Sequence, residues 1–430
     1  MSDRLQLNIP TLGERRFESP LGLSTEKGDE IADYTDESAR MPYDPIGAPA
    51  GDAFELAGAR KRVFFEGPKV KAAVVTCGGL CPGMNDVIRG IVSGLWQYGV
   101  RDILGFRYGY AGLDPQGYEP PIELTPEFVD GIHLQGGTIL GSSRGPREAT
   151  TMADTLVERG IDILFCIGGD GTMRGALALF HEIERRKLPI AIIGVPKTID
   201  NDLPYVEQTF GFETAVSLAT QAIRAAHVEA TGAPNGLGIV RLMGRHSGFI
   251  AASATLASRQ VDLVVVPELS FDLEGERGII EYLRRLIKKR NHAVLVVAEG
   301  AGQRYLEQSE TRDLSGNRKL GDIGTYLRDR LKHELRDISA SLKYIDPSYM
   351  IRAAPANSAD AIFCGRLAED AVHAAMAGKT GLVVGLWYNR FTHIPLSLAT
   401  SKRKLISLDS AFWRNVVEST GQPAILRGSK

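Results

Sequence analysis

A glycine-rich segment near the middle of the chain carries the residue types needed to hold a phosphate group and a metal ion. Residues 168–172 read Gly-Gly-Asp-Gly-Thr and follow the apolar run Ile163–Ile167, which is typical of a buried strand. Glycine has no side chain to keep backbone N–H groups away from phosphate oxygens, and Asp170 offers the oxygen ligands that Mg²⁺ prefers. The alternative interpretation is that Asp170 only caps the helix that follows.

A second segment, at the end of the next apolar run, adds cations and a proton acceptor. Ile190–Val195 is followed by Pro196-Lys-Thr-Ile-Asp-Asn-Asp202, which places Lys197, Asp200 and Asp202 close together along the chain. Phosphoryl transfer to an alcohol requires cations and Mg²⁺ around the transferred group and a carboxylate beside the hydroxyl. The two segments together therefore favour phosphoryl transfer.

Five further clusters could bind phosphate or sugar groups. Glycine-rich turns occur at residues 76–85 and 136–145, and an arginine in the second turn could reach a phosphate with two hydrogen bonds. In the second half of the chain, Met243-Gly-Arg245, Glu299 and Tyr349-Met-Ile-Arg352 supply groups that suit a phosphorylated sugar. Taken singly, each cluster has a structural alternative, such as a tight turn or a solvated surface charge.

Composition and charge exclude several classes of protein. The 430 residues carry 50 Lys plus Arg against 52 Asp plus Glu, a net charge of −2, which gives no support to nucleic-acid or anionic-membrane partners. No apolar stretch is long enough to cross a membrane and the N-terminus has no signal region, so we expect a cytoplasmic protein. The four cysteines lack zinc-site spacing and are expected to be reduced thiols.

The order of apolar runs and helical segments predicts the fold class. Continuous apolar runs separated by amphipathic segments indicate an α/β protein of two domains, each with a mainly parallel central sheet flanked by helices. We expect an N-terminal extension at 1–65, a nucleotide-binding domain at 66–210 completed by a segment near 355–390, a sugar-phosphate-binding domain at 211–354, and a C-terminal segment at 391–430. Ligands of such sheets bind beyond the carboxyl ends of the strands.

Taken together and in this order, the motifs resemble those of the 6-phosphofructokinases. They are GGLCPGMN at 78–85, LGSSRG at 140–145, GGDGT at 168–172, PKTIDND at 196–202, MGR at 243–245, AEGAG at 298–302 and YMIR at 349–352. The long N-terminal extension and LGSSRG are similar to the long-chain ATP-dependent branch, which includes plant and protozoan enzymes. The resemblance implies a phosphofructokinase-like fold and transfer of the terminal phosphoryl group of ATP to the C1 hydroxyl of fructose 6-phosphate, in glycolysis.

The resemblance also implies roles for individual residues of this sequence. Asp200 would be the catalytic base, Lys197 and Arg245 would be further catalytic residues, and Asp170 would lie at the Mg²⁺ position. The residues implied for ATP are Gly78, Arg144, Gly145, Gly169, Asp170, Gly171 and Thr172. Those implied for the sugar phosphate are Thr198, Ile199, Asp200, Asp202, Met243, Gly244, Arg245, Glu299, Lys343, Tyr349, Met350, Ile351 and Arg352.

Two positions bear on the phosphoryl donor, and they point in opposite directions. Family members that use pyrophosphate usually carry Asp at the position of Gly171, where a carboxylate would repel the α-phosphate of a nucleotide, so glycine favours ATP. Lys197 is shared with pyrophosphate users, although long-branch ATP enzymes combine this glycine with this lysine. Because access for the α-phosphate is the stronger constraint, we expect ATP, with pyrophosphate as the alternative donor.

Two other functions share part of the pattern. A lipid or NAD kinase would have the Gly-Gly-Asp-Gly loop, but it gives no reason for PKTIDND, MGR and YMIR to occur together. A non-catalytic regulatory subunit that only binds sugar phosphate would be expected to lose the base or the metal carboxylate, and both Asp170 and Asp200 are present.

The resemblance further implies an allosteric homotetramer in which neighbouring subunits contact the sugar phosphate. At three such positions the chain departs from the short bacterial enzymes, with Gly236, Lys343 and Tyr349 in place of Arg, Arg and His. Arg89 matches one effector-binding arginine of those enzymes, whereas Ser93 stands where a second would be.

Overall fold

The computed structural model describes residues 6–44, 52–115, 119–307, 311 and 319–427. The strands within these ranges are β1 (Phe17–Glu18), β2 (Arg40–Pro42), β3 (Ala53–Leu56), β4 (Arg62–Val63), β5 (Lys71–Thr76), β6 (Asp102–Phe106), β7 (Ile122–Glu123), β8 (Ile163–Gly168), β9 (Ala191–Pro196), β10 (Gly236–Leu242), β11 (Leu263–Val265), β12 (His292–Ala298), β13 (Ser341–Ile345), β14 (Leu382–Trp387) and β15 (Arg390–Pro395).

Helices alternate with most of the buried strands. They are α1 (Met84–Gln97), α2 (Ala149–Glu158), α3 (Asp170–Arg185), α4 (Phe212–Thr231), α5 (Phe249–Ser258), α6 (Ile279–Arg290), α7 (Ile323–Glu334), α8 (Ser348–Arg352), α9 (Ser358–Met376), α10 (Leu396–Ala399) and α11 (Ala411–Thr420). The alternation follows from the sequence, because short apolar runs bounded by glycine form strands and the longer amphipathic segments between them form helices.

The chain divides into two compact units. The first consists of Met1–Ile199, Leu203–Gly211 and Ala353–Arg403, and the second of Asp200–Asp202, Phe212–Arg352 and Lys404–Lys430. The N-terminal segment that we expected as an extension belongs to the first unit. The segment at 391–430 is divided between the two units.

The first unit is built on a nine-stranded sheet in the order β2-β3-β15-β14-β9-β8-β5-β6-β7. Its five middle strands, from β14 to β6, run parallel, and antiparallel strands complete both edges. Every residue of β8 and β9 is buried. These continuous apolar runs are typical of parallel strands covered by helices on both faces.

The N-terminal segment adds two strands to this sheet, and buried ion pairs hold them there. Strands β2 and β3 lie at its edge, and Glu55 of β3 accepts hydrogen bonds from Arg60 at 3.1 Å and from Lys379 at 2.8 Å. Burial alone would raise the pKa of Glu55, but hydrogen bonds from His393 and Lys379 outweigh it and hold that pKa well below its usual range. A segment that reads as polar and irregular is therefore fixed to the sheet by paired charges.

The second unit contains a four-stranded sheet in the order β11-β12-β10-β13, and all of its strands are parallel. Helix α4 packs closely on β10, because a Cβ at Gly238 would lie 2.7 Å from the carbonyl oxygen of Ala226 in that helix. Since the strands are parallel, the loops that follow β10, β12 and β13 all leave the same edge of the sheet. The expected α/β class is confirmed for both units.

The structure bears on membrane-spanning helices and on the state of the cysteines. Within the described ranges, no helix has both the length and the apolar character needed to cross a lipid bilayer. Cys77, Cys81, Cys166 and Cys364 are buried thiols rather than disulfides. Burial raises the pKa of Cys77 to about 11 and that of Cys166 to about 12.

Candidate active site

Lys197 connects two of the glycine-rich turns of the first unit. It follows β9 directly, and its backbone N–H donates to the carbonyl of Gly168 at 2.8 Å. Its buried ammonium donates to the carbonyl of Gly79 at 2.6 Å. Gly78 has a φ of +86°, and a Cβ at this position would lie 3.1 Å from Lys197 Nζ. A glycine is therefore needed where the lysine reaches the turn that the sequence predicts to bind phosphate.

The turn at 140–145 is hydrogen-bonded to the Gly78–Gly79 turn. The Gly78 N–H donates to the carbonyl of Ser143 at 3.0 Å. Arg144 comes next, and its Nη2 lies 3.2 Å from the position that a Cβ on Gly79 would take. Gly145 follows with a φ of +105°. The structure thus brings Gly78 close to Arg144 and Gly145, although Gly78 is far from them in the sequence.

Asp170 is the first residue of α3, and two arginines approach its carboxylate. Arg174, one turn along the helix, lies 3.1 Å from Asp170 Oδ2, and Arg403 lies 3.5 Å from the same oxygen. The strand before it must end in a small residue, since a Cβ at Gly168 would lie 2.1 Å from Thr172 Oγ1. The carboxylate therefore lies at the positive end of a sixteen-residue helix, where anions are stabilised.

The residues present at the start of α3 fit a magnesium ion. Within the part of the chain that the structure describes, there is no cluster of three or more His, Cys, Asp or Glu side chains that could hold a metal ion. Mg²⁺ is commonly held by one or two carboxylates, with water and substrate phosphates as the other ligands. Asp170, a single carboxylate beside glycines that the sequence predicts to bind phosphate, matches that pattern.

Gly171 faces open space. A Cβ added there would meet nothing within 4 Å, in contrast to Gly168 and Gly169 before it. Packing around the Cβ position therefore does not require a glycine here. The space beside it lies over the first turn of α3.

Asp200 is the first residue of the second unit and has the most perturbed carboxyl group of the candidate site. Burial, together with the charges of Asp202 and Glu299, raises the pKa of Asp200 to about 7. The charge of Arg352 and a hydrogen bond from the backbone of Arg245 act in the opposite direction. These five residues therefore interact within one unit, and Asp200 is poised to exchange a proton near neutral pH.

The rest of the PKTIDND segment is held by its backbone. The carbonyl of Thr198 accepts a hydrogen bond from Thr209, and Ile199 is buried. The carbonyl of Asp202 accepts a hydrogen bond of 2.9 Å from the backbone N–H of Lys404. Asn201 adopts a φ of +54°, a left-handed conformation that asparagine tolerates better than most residues.

Two of the predicted sugar-binding turns interlock at the edge of the second sheet. The Glu299 N–H donates to the carbonyl of Leu242 at 2.9 Å, and the Gly300 N–H donates to the carbonyl of Gly244 at 3.0 Å. These bonds continue the parallel pairing of β10 and β12 beyond the strand ends. The turn Met243–Arg245 and Glu299 are therefore neighbours, as expected of loops that follow adjacent parallel strands.

Arg241, near the end of β10, ties these turns to α8. Its Nη2 donates to Glu299 Oε2 at 2.9 Å, and its Nη1 donates to Asp346 Oδ2 at 2.7 Å and to Ser348 Oγ at 3.4 Å. Ser348 is the first residue of α8, which carries the YMIR motif. One guanidinium on β10 therefore fixes the segments that follow two neighbouring strands, β12 and β13.

The YMIR residues occupy different environments within α8. The Tyr349 side chain is 85% exposed, Met350 is also exposed, and Ile351 is completely buried. Arg352 is partly buried and lies close enough to Asp200 to influence the pKa of its carboxyl. Within the second unit, Arg352 is thus the charged residue of this motif that acts on the carboxyl of Asp200.

Lys343 lies apart from these groups. It is the middle residue of β13 and pairs with Gly238 of β10. Its ammonium lies 3.5 Å from Glu229 on α4. Within its own unit, Lys343 is therefore not brought to the loops that carry Arg245 and Glu299.

Sequence reasoning missed three arginines that contact candidate site residues, namely Arg174, Arg241 and Arg403. Arg241 had a signal, since it is a charge inside an otherwise apolar strand. Arg403 lies in the basic run Lys402-Arg403-Lys404, which follows the sheet in a segment without a recognised motif. Arg174 has no distinguishing pattern, since charged residues are ordinary on an exposed helix face.

A family model described as phosphofructokinase matches residues 71–375. The chain belongs to the phosphofructokinase family. The resemblance inferred from the motifs is confirmed, and the matched range contains every residue to which we assigned a role.

Curated relatives match this phosphofructokinase over most of its length. It is 45% identical to the ATP-dependent 6-phosphofructokinase of Borreliella burgdorferi, with 99% of each chain covered. It is 47% identical to ATP-dependent 6-phosphofructokinase 1 of Arabidopsis thaliana over 92% of this chain and 85% of the relative. It is 48% identical to the ATP-dependent 6-phosphofructokinase of Trypanosoma brucei brucei over 85% and 76%. The expected similarity to plant and protozoan enzymes is therefore confirmed.

Solved structures support the fold. A pyrophosphate-dependent phosphofructokinase from Marinobacter aquaeolei aligns with a TM-score of 0.68 at 22% identity, covering 84% of this chain and 92% of that chain. At this level of identity the match establishes the architecture and carries no information on the phosphoryl donor.

Proposed function

We propose that this phosphofructokinase transfers the terminal phosphoryl group of ATP to the C1 hydroxyl of fructose 6-phosphate, giving fructose 1,6-bisphosphate and ADP. The observation that carries the proposal is the Pro196–Asp202 segment. It holds Lys197 against the Gly78–Gly79 turn and, three residues later, presents Asp200 with a pKa of about 7. The names of the curated relatives support the same reaction.

Asp200 acts as the general base. Its ionised carboxylate takes the proton of the C1 hydroxyl as that oxygen attacks the γ-phosphorus, and the bond from this phosphorus to the bridging oxygen breaks to release ADP. A base with a pKa near the working pH combines a useful ionised fraction with a useful proton affinity. After the transfer, the proton is on the carboxyl of Asp200 and the phosphoryl group is on the C1 oxygen of the sugar.

Lys197 and Arg245 stabilise the charge that spreads over the transferred phosphoryl group. Positioned cations of this kind supply much of the rate enhancement in phosphoryl transfer, since the protein performs little covalent chemistry there. Lys197 is suited to this role because it is buried and anchored at 2.6 Å to Gly79, so it loses little further freedom when a phosphate binds.

Asp170 would hold Mg²⁺ together with phosphate oxygens of the nucleotide, and the ion would supply positive charge to the γ-phosphate. The remaining ATP contacts are assigned to Gly78, Arg144, Gly145, Gly169, Gly171 and Thr172. We assign these residues to the nucleotide-binding unit because their turns are joined by the hydrogen bonds and close approaches around Lys197.

The sugar phosphate is assigned to the second unit. Met243–Arg245, Glu299 and Arg352 lie at the edge of its parallel sheet and would contact the hexose and its phosphate, together with Asp202 and the exposed Tyr349. Arginine forks match phosphate oxygens, and carboxylates match sugar hydroxyls.

The donor is ATP rather than pyrophosphate. Gly171 has open space around it, which leaves room for the α-phosphate and the rest of a nucleotide. The curated relatives that are 45–48% identical are named ATP-dependent. Pyrophosphate is the second candidate, because Lys197 is shared with enzymes that use it.

We further propose that the enzyme assembles as a homotetramer whose neighbouring subunits complete the sugar-phosphate site. The mid-strand location of Lys343 supports this assignment, since it is separated from Arg245 and Glu299 within its own unit. Sedimentation of the purified enzyme with and without fructose 6-phosphate tests the assembly; a monomer that retains full activity contradicts it.

The decisive experiment is a coupled assay with fructose 6-phosphate as acceptor and either ATP or pyrophosphate as donor, each with and without Mg²⁺. We expect formation of fructose 1,6-bisphosphate with ATP and Mg²⁺, and a much lower kcat/KM with pyrophosphate. Equal or better use of pyrophosphate would reverse the assignment of the donor. No product with either donor would refute the proposed reaction.

A further inference from the structure

Residues 401–405, which follow α10, pass beside the candidate magnesium carboxylate. In this segment Arg403 Nη2 lies 3.5 Å from Asp170 Oδ2, although the two residues are 233 positions apart. The segment has neither helical nor strand structure, and none of the family motifs includes it. A side chain that reaches the first residue of α3 from such a distant segment requires an explanation.

The residues on either side of Arg403 each make contacts within their own unit. The Lys402 ammonium lies 5.0 Å from the centre of the Tyr205 ring, a cation–π contact. In the second unit, the Lys404 N–H donates to the carbonyl of Asp202 at 2.9 Å, and its ammonium lies 5.2 Å from the centre of the Phe249 ring. Within the first unit, the contact of Lys402 with Tyr205 therefore restrains the segment that carries Arg403.

The charges around Asp170 favour an anion. Two guanidinium groups approach one carboxylate, and all three lie at the N-terminal end of α3, so positive charge exceeds negative charge there. A charge-assisted hydrogen bond is typically about 2.7–2.9 Å long. The contact of Arg403 with Asp170 is 3.5 Å, so most of the donor capacity of this guanidinium is left for another acceptor.

Arg403 is also better placed than Arg174 to bind such an acceptor strongly. The Arg403 side chain is 28% exposed, whereas that of Arg174 is 59% exposed. Attraction between charges is weakened less by solvent at the more buried position. The guanidinium fork matches phosphate oxygens in geometry as well as in charge.

We propose that Arg403 is a further nucleotide-binding residue, whose guanidinium binds the phosphate oxygens of the donor at the Asp170 end of α3. This inference rests on the proposed function, because it takes that end of the helix as the triphosphate site. Arg403 thereby adds to the phosphate contacts assigned to Lys197 and Arg144.

The test is equilibrium binding of ATP by calorimetry, with and without Mg²⁺, to the full-length wild type and to R403Q and R403K. We expect R403Q to weaken ATP binding by about 10- to 100-fold, the loss associated with one or two charge-assisted hydrogen bonds. The loss persists without Mg²⁺, because the contact is to phosphate. R403K recovers part of the affinity, since it keeps the charge without the fork.

Two matched variants separate this role from a general effect of charge. R414Q removes an exposed arginine on α11 and is expected to leave ATP binding unchanged. R174Q removes the other arginine at Asp170 and is expected to weaken binding less than R403Q. Loss in R174Q equal to or greater than that in R403Q overturns the inference. The inference is also overturned if R403Q binds ATP as tightly as the wild type does. This holds even if R403Q has a lower melting temperature, because Arg403 would then only support the structure.

Activity of the wild type in the same preparation distinguishes failure of the proposed reaction from failure of the proposed role of Arg403. If the wild type binds ATP but does not phosphorylate fructose 6-phosphate, the proposed reaction fails, and the binding data on Arg403 still decide this inference. If the wild type is active and R403Q binds ATP equally well, only the inference fails. A wild type that does not bind ATP overturns both.

Discussion

Arg241 donates a hydrogen bond of 2.9 Å to the carboxylate of Glu299. The same guanidinium donates at 2.7 Å to Asp346, just before α8. Glu299 and Arg352 both influence the carboxyl of Asp200, so Arg241 holds in place two of the groups that act on the proposed base. Arg241 does so from within β10, whose other residues are buried and apolar. Removal of its guanidinium would take a cation away from both Glu299 and Asp346.

We expect R241Q to raise the KM for fructose 6-phosphate by about 10-fold or more, because Glu299 and α8 lose a charge-assisted anchor. The KM for ATP stays unchanged, and steady-state kinetics with each substrate varied provide the measurement. R241K should recover part of the loss.

R284Q is the matched control for that variant. Arg284 lies on α6 of the same unit, its side chain is 17% exposed against 18% for Arg241, and it also pairs with two carboxylates, Asp337 and Glu281. The R284Q variant should have a lower thermal stability than the wild type but the same KM for fructose 6-phosphate. Equal effects of the two variants on that KM would show that Arg241 has no specific positioning role.

Replacement of the proposed base should stop turnover without preventing binding. Asp200→Asn keeps the shape of the side chain but cannot accept the proton, so kcat should fall by a factor on the order of 10² or more. Affinity for ATP, measured by calorimetry, should remain within about twofold of the wild type, since the contacts proposed for ATP are made by residues of the first unit. Turnover close to that of the wild type would remove Asp200 from the role of base.

If Asp200 is the base, the same carboxyl should set the pH dependence of kcat/KM. Its pKa is raised to about 7, and only the ionised form accepts a proton, so kcat/KM should fall about tenfold for each pH unit below that value. Glu299→Gln removes a negative charge and should move this limb to lower pH, whereas Arg352→Gln removes a positive charge and should move it to higher pH. Shifts of the opposite sign, or none, would show that the limb belongs to another group.

The local motifs were readable from the sequence because their chemistry is contained within a few consecutive residues. GGDGT must end a buried strand in glycine, and the Pro196–Asp202 segment concentrates cation and carboxylate in one loop. Contacts set by tertiary structure were not readable. The approach of Arg403 to Asp170 and the pairing of Glu55 with Lys379 and His393 join positions far apart in the chain, and nothing local specifies them.

The donor preference can be tested at one position. Gly171→Asp should be tolerated by the fold, since a side chain there meets nothing within 4 Å and a carboxylate is favourable in the first turn of a helix. Its charge would repel the phosphates of ATP, so kcat/KM for ATP should fall by a factor on the order of 10². Use of pyrophosphate should suffer less, because pyrophosphate has no α-phosphate or nucleoside to accommodate. Gly171→Ala adds bulk without charge and should cost much less. Equal losses with both donors in Gly171→Asp would refute the steric and electrostatic argument.

Gly83 should be essential for packing the first unit rather than for chemistry. It precedes α1 with a φ of +93°, and a Cβ there would lie 2.6 Å from Cys364 Sγ and 3.1 Å from the ring of Phe210. Gly131 has a similar φ of +77° but meets nothing within 4 Å, so it experiences the same backbone strain without the clash. We expect Gly83→Ala to reduce the free energy of unfolding by about 1–3 kcal/mol more than Gly131→Ala does, the usual cost of overfilling a packed site. Urea denaturation of both variants measures the difference, and equal stabilities would mean that the helix and Cys364 move apart at little cost.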